Sequence, residues 1–195
     1  DDFEYKSQFN LCKKYATKFI TSKYLPVSAK NIVKSYEFKE LAYLHPKYFS
    51  PNIKSLNNYG LKKKKYIFIR EVSNISLNYQ EENNELDKNI KEIKNIGLKI
   101  VLSLEDKNLM KKYEKDCLIL NEPVEDIYSL IYYAKFVVSS GDTVAREAAL
   151  LGVPTFYTGT RKMILNDVLI NKGLMSDKKD LGNLKVFSKT ENTKK

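Results

Sequence analysis

Residues 126–160 read DIYSLIYYAKFVVSSGDTVAREAALLGVPTFYTGT, and their pattern predicts helix, strand, tight turn, helix, strand. Tyr128, Ile131 and Tyr132 recur at helical spacing on one face. Phe136-Val137-Val138 is the apolar centre of a short strand, which runs into the small and polar residues Ser139-Ser140-Gly141-Asp142-Thr143. An alanine-rich helix is then predicted from Val144 to Leu151, stopped by Gly152 with Pro154 two residues on. Thr155-Phe156-Tyr157 is the next strand.

The turn is the chemical feature. Gly141 is expected to let the backbone bend where a side chain would clash. Asp142 or Thr143 is expected to cap the helix that follows. Amides at a helix start, with the positive end of the helix dipole, favour an anionic ligand. Glu147 lies four residues after Thr143, so both project from one helix face. A carboxylate there suits ribose hydroxyls just beyond a phosphate. Ala145, Ala148 and Ala149 let the helix lie close to a sheet. The same pattern also occurs in crossovers that bind nothing, because a single glycine turn lacks the fuller phosphate-loop signature.

Working outward, short apolar strands alternate with amphipathic helices. Tyr66-Ile67-Phe68-Ile69 is the first strand of the main domain, Lys99 to Ser103 the second and Cys117 to Leu120 the third. Between them Leu86, Ile90, Ile93 and Ile96 make a helical stripe ended by Gly97, and Asp106 to Glu114 is a short helix. Pro123 opens a helix to Ala134, and Met163 to Asn171 is another, closed by Gly173. This order predicts an α/β fold: a Rossmann-like parallel sheet with helices on both faces. Arg70 falls at the C-terminal end of its strand, where such sheets bind ligands. Its fork fits a phosphate or carboxylate, or a salt bridge to Glu71 or another acid. Upstream, Asp2 to Thr21 reads as a helix and then a strand, and Asn31 to Tyr36 as another short strand.

The segment Glu37 to Pro51 holds the single histidine, His45. Its pKa range suits acid–base work, but no Ser, Cys or metal-ligand partner has recognisable spacing around it, so a role at a domain junction is the other reading. Tyr43, Tyr48 and Phe49 read as an aromatic plug between domains, or as a stacking surface for a base or sugar.

At 195 residues the chain holds one large domain, or one domain and part of another. The formal charge of +10, from 34 Lys+Arg against 24 Asp+Glu, raises nucleic acid or an anionic membrane as partners. Only Arg70, Arg146 and Arg161 are arginines, however. Lysines scattered along the whole chain are not a readout surface, so no specific nucleic-acid partner is expected. Cys12 and Cys117 belong to no metal-spacing motif and read as free thiols of a reducing, cytoplasmic compartment. No apolar run approaches the ~18–20 residues of a membrane span. The chain opens at Asp1 inside what reads as an element, so a piece of a longer protein, or the product of a shortened reading frame, is expected.

The stretch from Ser139 to Glu147 resembles the nucleotide-sugar half of two-domain GT-B glycosyltransferases and the related UDP-N-acetylglucosamine 2-epimerases. More closely, the chain resembles a GT-B-like family of unknown function. The runs that carry this are Lys39-Glu40-Leu41-Ala42-Tyr43-Leu44-His45-Pro46, Phe49-Ser50-Pro51, and Thr143 through Pro154. The resemblance implies the C-terminal half of a GT-B-like fold, with most of the N-terminal domain lacking. It divides the chain into residues 1–36, a remnant of the acceptor domain; 37–52, the crossover; 53–175, the nucleotide-sugar-binding domain; and 176–195, a polar tail. It implies a UDP-sugar as ligand, held by Ser139, Ser140, Gly141, Asp142, Thr143 and Glu147, with Arg70 and Ser73 across the cleft. No cofactor or metal is implied, and an acceptor domain supplied elsewhere is a possible partner. The activity implied is glycosyl transfer, with a silent binding module or a 2-epimerase-like isomerase as alternatives. Two family motifs depart here: an Asp-Thr-Glu-His run stands as Asp2-Phe3-Glu4-Tyr5, and a His-Asp pair falls on Asn78 and Tyr79.

Overall fold

The computed structural model describes residues 6–73 and 85–177. In chain order it contains α1 (Lys6–Tyr15), β1 (Phe19–Ser22), β2 (Ile32–Tyr36), α2 (Leu41–Leu44) and a 3-10 segment (Ile53–Tyr59). Then come β3 (Tyr66–Glu71), α3 (Glu85–Lys94), β4 (Lys99–Leu104), a 3-10 turn (Lys107–Leu109) leading into α4 (Met110–Tyr113), and β5 (Leu118–Ile119). The remainder is α5 (Ile127–Tyr133), β6 (Val137–Ser139), α6 (Asp142–Leu150), β7 (Thr155–Tyr157), α7 (Ile164–Asn171) and β8 (Ser176–Asp177). The runs Asp2–Tyr5 and Asn78-Tyr79, and the tail from residue 178, lie outside the described residues.

Six strands form one parallel sheet in the order β5-β4-β3-β6-β7-β8. Its centre is β3, and the reason is written in its side chains. Tyr66 and Phe68 face one layer, with Leu130, Ile131, Val137 and Ala148. Ile67 and Ile69 face the other, with Ile90, Ile93, Ile100 and Leu102. A strand apolar on both faces belongs inside a parallel sheet covered on both sides. From β3 the chain winds outward through β4 and β5, then returns to β6 on the other flank of β3. The strand order therefore reverses between β3 and β6. In register, Arg70 at the end of β3 sits between Ser103 of β4 and Ser139 of β6. That point of reversal, beyond the carboxyl ends of the strands, is where open α/β sheets bind ligands.

The alanines of α6 do what their size allows. Ala145 and Ala148 are fully buried, Ala149 nearly so, and Gly152 ends the helix in the left-handed region at φ +74. Ala145 and Ala149 meet Leu25, Val27 and Phe38 from the first part of the chain, together with Leu165 and Leu169 of α7. Residues 25–38 are thus packed onto the same body as α6. By contrast, among the described residues β1 and β2 pair only with each other, in parallel, leaving Ile20 and Val33 exposed.

Several boundaries differ from the sequence reading. The segment after Pro123 does not continue as helix. A cis Glu122-Pro123 bond and a turn come first, and α5 starts only where the Asp126 carboxylate accepts the Ser129 amide as its N-cap. The predicted helix from Asp106 to Glu114 is a 3-10 turn followed by one α-turn. Ser176 and Asp177, read as tail, pair with Phe156 and Tyr157 as a sixth strand. Among the described residues no helix is long and apolar enough to cross a membrane.

Candidate functional site

The turn from Ser139 to Gly141 closes β6 over the end of β3. The Ser140 amide donates to the Arg70 carbonyl at 3.0 Å, and the Ser140 hydroxyl accepts the Val72 amide at 3.0 Å. The Ser139 hydroxyl is 2.8 Å from the Gly141 carbonyl and 3.1 Å from the Gly141 amide. Both serines are buried, so their hydroxyls shape the turn. Gly141 is not there for a bend. Its φ of −89 is ordinary extended backbone, and the constraint is proximity: a Cβ would lie 2.8 Å from Cγ1 of Val72.

The capping expectation is also corrected. Gly141 is the N-cap of α6, no side chain caps it, and Asp142 is the first helical residue. The Asp142 carboxylate is drawn toward the loop after β7, where it accepts the Tyr157 hydroxyl at 2.5 Å and the Arg161 guanidinium at 2.7 Å. A charged donor and a phenol outcompete the weak geometry of self-capping. Thr143 is exposed on the first turn. That turn's amides have no intrahelical acceptor, which makes it the positive pole of the helix. Arg161 stands beside this pole, a residue that sequence spacing did not single out.

Arg70 is directed to the β4 side. Its guanidinium donates to Glu122 at 2.6 Å, Glu105 at 2.7 Å and the Ser103 hydroxyl at 2.7 Å. Of the two readings of Arg70, the structure shows the salt bridge, with Glu105 and Glu122 as partners. Glu105 also accepts the Ser73 amide at 3.0 Å, so Arg70 and Ser73 are joined through one carboxylate. Together these groups fasten the ends of β3 and β4 at one lip of the crevice.

Glu147 lies one turn into α6 and is 5% exposed. Its Oε1 accepts the Tyr43 hydroxyl at 2.7 Å and the Tyr128 hydroxyl at 3.2 Å. The two phenol rings sit 5.6 Å apart, and Phe49 meets the edge of Tyr128 at 6.2 Å. Of the aromatic cluster read from the sequence, Tyr43 and Phe49 are joined, through Tyr128, while Tyr48 is exposed and packs on His45 instead. The preceding residue, Arg146, donates through Nε to Glu40 at 2.9 Å and through a terminal nitrogen to Asn166 at 3.3 Å. Arg146 is 2% exposed and Glu40 is fully buried. The run from Lys39 to Pro46 thus touches α6 twice, once by charge and once by phenol.

Burial pushes the Glu147 carboxyl pKa up, more than the two phenol hydrogen bonds lower it. The folded chain then holds that proton more tightly than the unfolded chain. Stability is given up as pH rises from the ordinary carboxylate value through the raised one, and it stays lost at neutrality. Glu147→Gln is therefore expected to melt at a higher temperature than the wild type at pH 7. The difference should close below about pH 4, where the unfolded carboxyl is also protonated. Thermal melts across this range test it, and an equal gap at both ends would contradict it.

Among the described residues no group of three or more His, Cys, Asp or Glu side chains is placed to hold a metal ion. Both cysteines are free, and burial pushes the Cys117 thiol up to about 11.

A family model described as "Protein of unknown function (DUF354)" matches residues 22–192. The chain belongs to the DUF354 family. A search of curated proteins finds no match. Among solved structures, this DUF354 chain is similar to the UDP-GlcNAc 2-epimerase of Methanocaldococcus jannaschii in complex with UDP-GlcNAc and UDP. There the identity is 15%, the TM-score 0.58, and the match covers 87% of this chain and 50% of that one. The UDP-N-acetylglucosamine 2-epimerase of Rickettsia bellii matches at 18% identity and TM-score 0.55, over 80% of this chain and 45% of that one. The S. aureus MnaA-UDP co-structure matches at 14% and 0.53, over 82% and 45%. At such identities the likeness establishes the fold: a Rossmann-like, GT-B-type α/β sheet. The DUF354 chain spans about half the length of these solved relatives.

Proposed function

We propose that the DUF354 chain is the nucleotide-sugar half of a GT-B-like protein. In this reading residues 53–175 bind the nucleotide, 37–52 form the crossover and 1–36 are the last piece of an acceptor lobe. The observation that carries it is Glu147: a buried carboxylate one helical turn beyond the positive pole of α6, the helix that follows β6 on the flank where the strand order reverses. An anion at the Ser139–Thr143 turn meets the first-turn amides of α6 and the helix dipole, the Ser140 and Gly141 amides being held by the Arg70 carbonyl and the Ser139 hydroxyl. A diol about 6 Å further along the axis meets the carboxylate. Arg161, held by Asp142, supplies positive charge beside the phosphates. Arg70 and Ser73 shape the opposite lip through Glu105. The solved relatives in complex with UDP or UDP-GlcNAc share this sheet, which supports a UDP-sugar as the ligand. The free cysteines favour a cytoplasmic setting.

Glycosyl transfer and 2-epimerisation both place charge on a departing diphosphate and both use such a pole. A second reading, binding without turnover, rests on Asn78 and Tyr79 standing where the resembling family has His and Asp. Calorimetric titration with UDP and UDP-N-acetylglucosamine tests the shared part. Glu147→Ala is expected to weaken UDP roughly tenfold, through loss of a charge-assisted hydrogen bond. No heat at millimolar ligand would leave only an α/β scaffold. Product analysis after incubation separates an enzyme from a silent binder.

A further inference from the structure

We propose that the Tyr43 hydroxyl is a clasp on Glu147, one that only a ligand carrying a vicinal diol can displace. This rests on the nucleotide reading and adds a specificity residue to it. Two phenols converge on the same atom, Oε1, and the carboxylate is 5% exposed. A ligand hydroxyl reaching Oε1 must therefore replace a protein hydroxyl rather than bulk water, so only a ligand that engages both carboxylate oxygens has to open the clasp.

The geometry distinguishes the two donors. Tyr43 makes the shorter bond, 2.7 Å against 3.2 Å, so it is the stronger competitor. It is also the movable one. Its residue is 39% exposed, and it sits on the four-residue α2. Rotation of its side chain takes the hydroxyl into water, where it is solvated at once. Tyr128 belongs to the longer α5 and packs between Tyr43 and Phe49. It stays on Oε1 as the floor of the site. A lone hydroxyl only exchanges one hydrogen bond for another. A cis-diol brings a second donor to the same carboxylate and shifts the balance. The ligand class is thus a ribonucleotide, disfavouring its deoxy counterparts.

The test is calorimetry with UDP and 2′,3′-dideoxy-UDP on the wild type and Tyr43→Phe. UDP is expected to bind Tyr43→Phe about tenfold tighter, since a hydrogen bond to a charged acceptor no longer has to be surrendered. Dideoxy-UDP should show no such gain. In the wild type, UDP should move the tyrosine near-ultraviolet absorbance toward that of a hydrated phenol, and Tyr43→Phe should lose that change. UDP binding to Tyr43→Phe that is unchanged or weaker overturns the clasp while the nucleotide reading stands. An equal gain with dideoxy-UDP overturns the diol requirement, and hence the clasp as stated. No binding of UDP to either protein overturns both.

Discussion

Arg146→Met is expected to destabilise the fold by roughly 3–5 kcal/mol, seen as a lower urea midpoint with an unchanged slope. Arg146 and Glu40 are an ion pair removed from water, and taking away the cation strands the Glu40 carboxylate without a counter-charge. The site is under-satisfied even with the arginine present, since Oε2 of Glu40 and Nδ2 of Asn166 lack hydrogen-bond partners. Breaking such a pair from one side costs far more than the pair contributes, because the cost is the desolvated charge left behind. The double variant Glu40→Met with Arg146→Met should therefore recover most of the loss. If the single variant loses less than about 1 kcal/mol, the value of exposed pairs, the pair is not shielded from solvent as described.

Gly159→Ala is expected to cost about 3 kcal/mol, near the top of the usual range for an overpacked site, and to abolish UDP binding. A Cβ at residue 159 would collide with the Ser140 carbonyl oxygen and the Tyr157 hydroxyl, and would lie 2.6 Å from Cζ of Tyr157. The first of these is backbone at the proposed phosphate turn, and the second holds Asp142. Relief therefore requires the loop to lift from α6, which carries Arg161 away with it. Gly141→Ala makes the comparison. Its Cβ meets a Val72 methyl, the far end of a side chain that can rotate, so a smaller loss is expected there. Melting temperature and UDP titration on both variants decide it; equal losses would show that the 159 loop is not what bears on the turn.

Much of the fold was legible because periodicity reports burial directly. The run Tyr66 to Ile69, the alanines of α6 and the stripe from Leu86 to Ile93 each face where their spacing says they should. Elements with weak periodicity were misread. Pro123 to Ala134 read as one helix, yet the cap at Asp126 decides where α5 begins, and capping is a local hydrogen bond that apolar spacing does not register. The two-residue β8 is too short to carry any pattern. At the candidate site, Glu147 was singled out by its distance to the turn. Its partners were not assigned, because Tyr43 lies 104 residues away and no spacing rule spans that gap. Glu40 was visible only as a letter of a family motif, and Tyr43 besides that only as one ring of an aromatic plug. The structure supplies their physical reason, which is adjacent grips on α6. Arg70 shows the converse limit. Its position at a strand end was right, but its direction was set by Glu105 and Glu122, from loops 35 and 52 residues on.

Arg146 and Glu147 are consecutive, and both are gripped by the same short helix through Glu40 and Tyr43. Two neighbouring positions therefore answer to different demands, one to the framework and one to the crevice, through a shared lever. Engineering one in isolation is then a poor strategy. An apolar swap of the Glu40–Arg146 pair made for heat resistance would shift α2, and the angle at which Tyr43 arrives would drift with it. Sequence variation at 40, 43, 146 and 147 should be traded as a block of four.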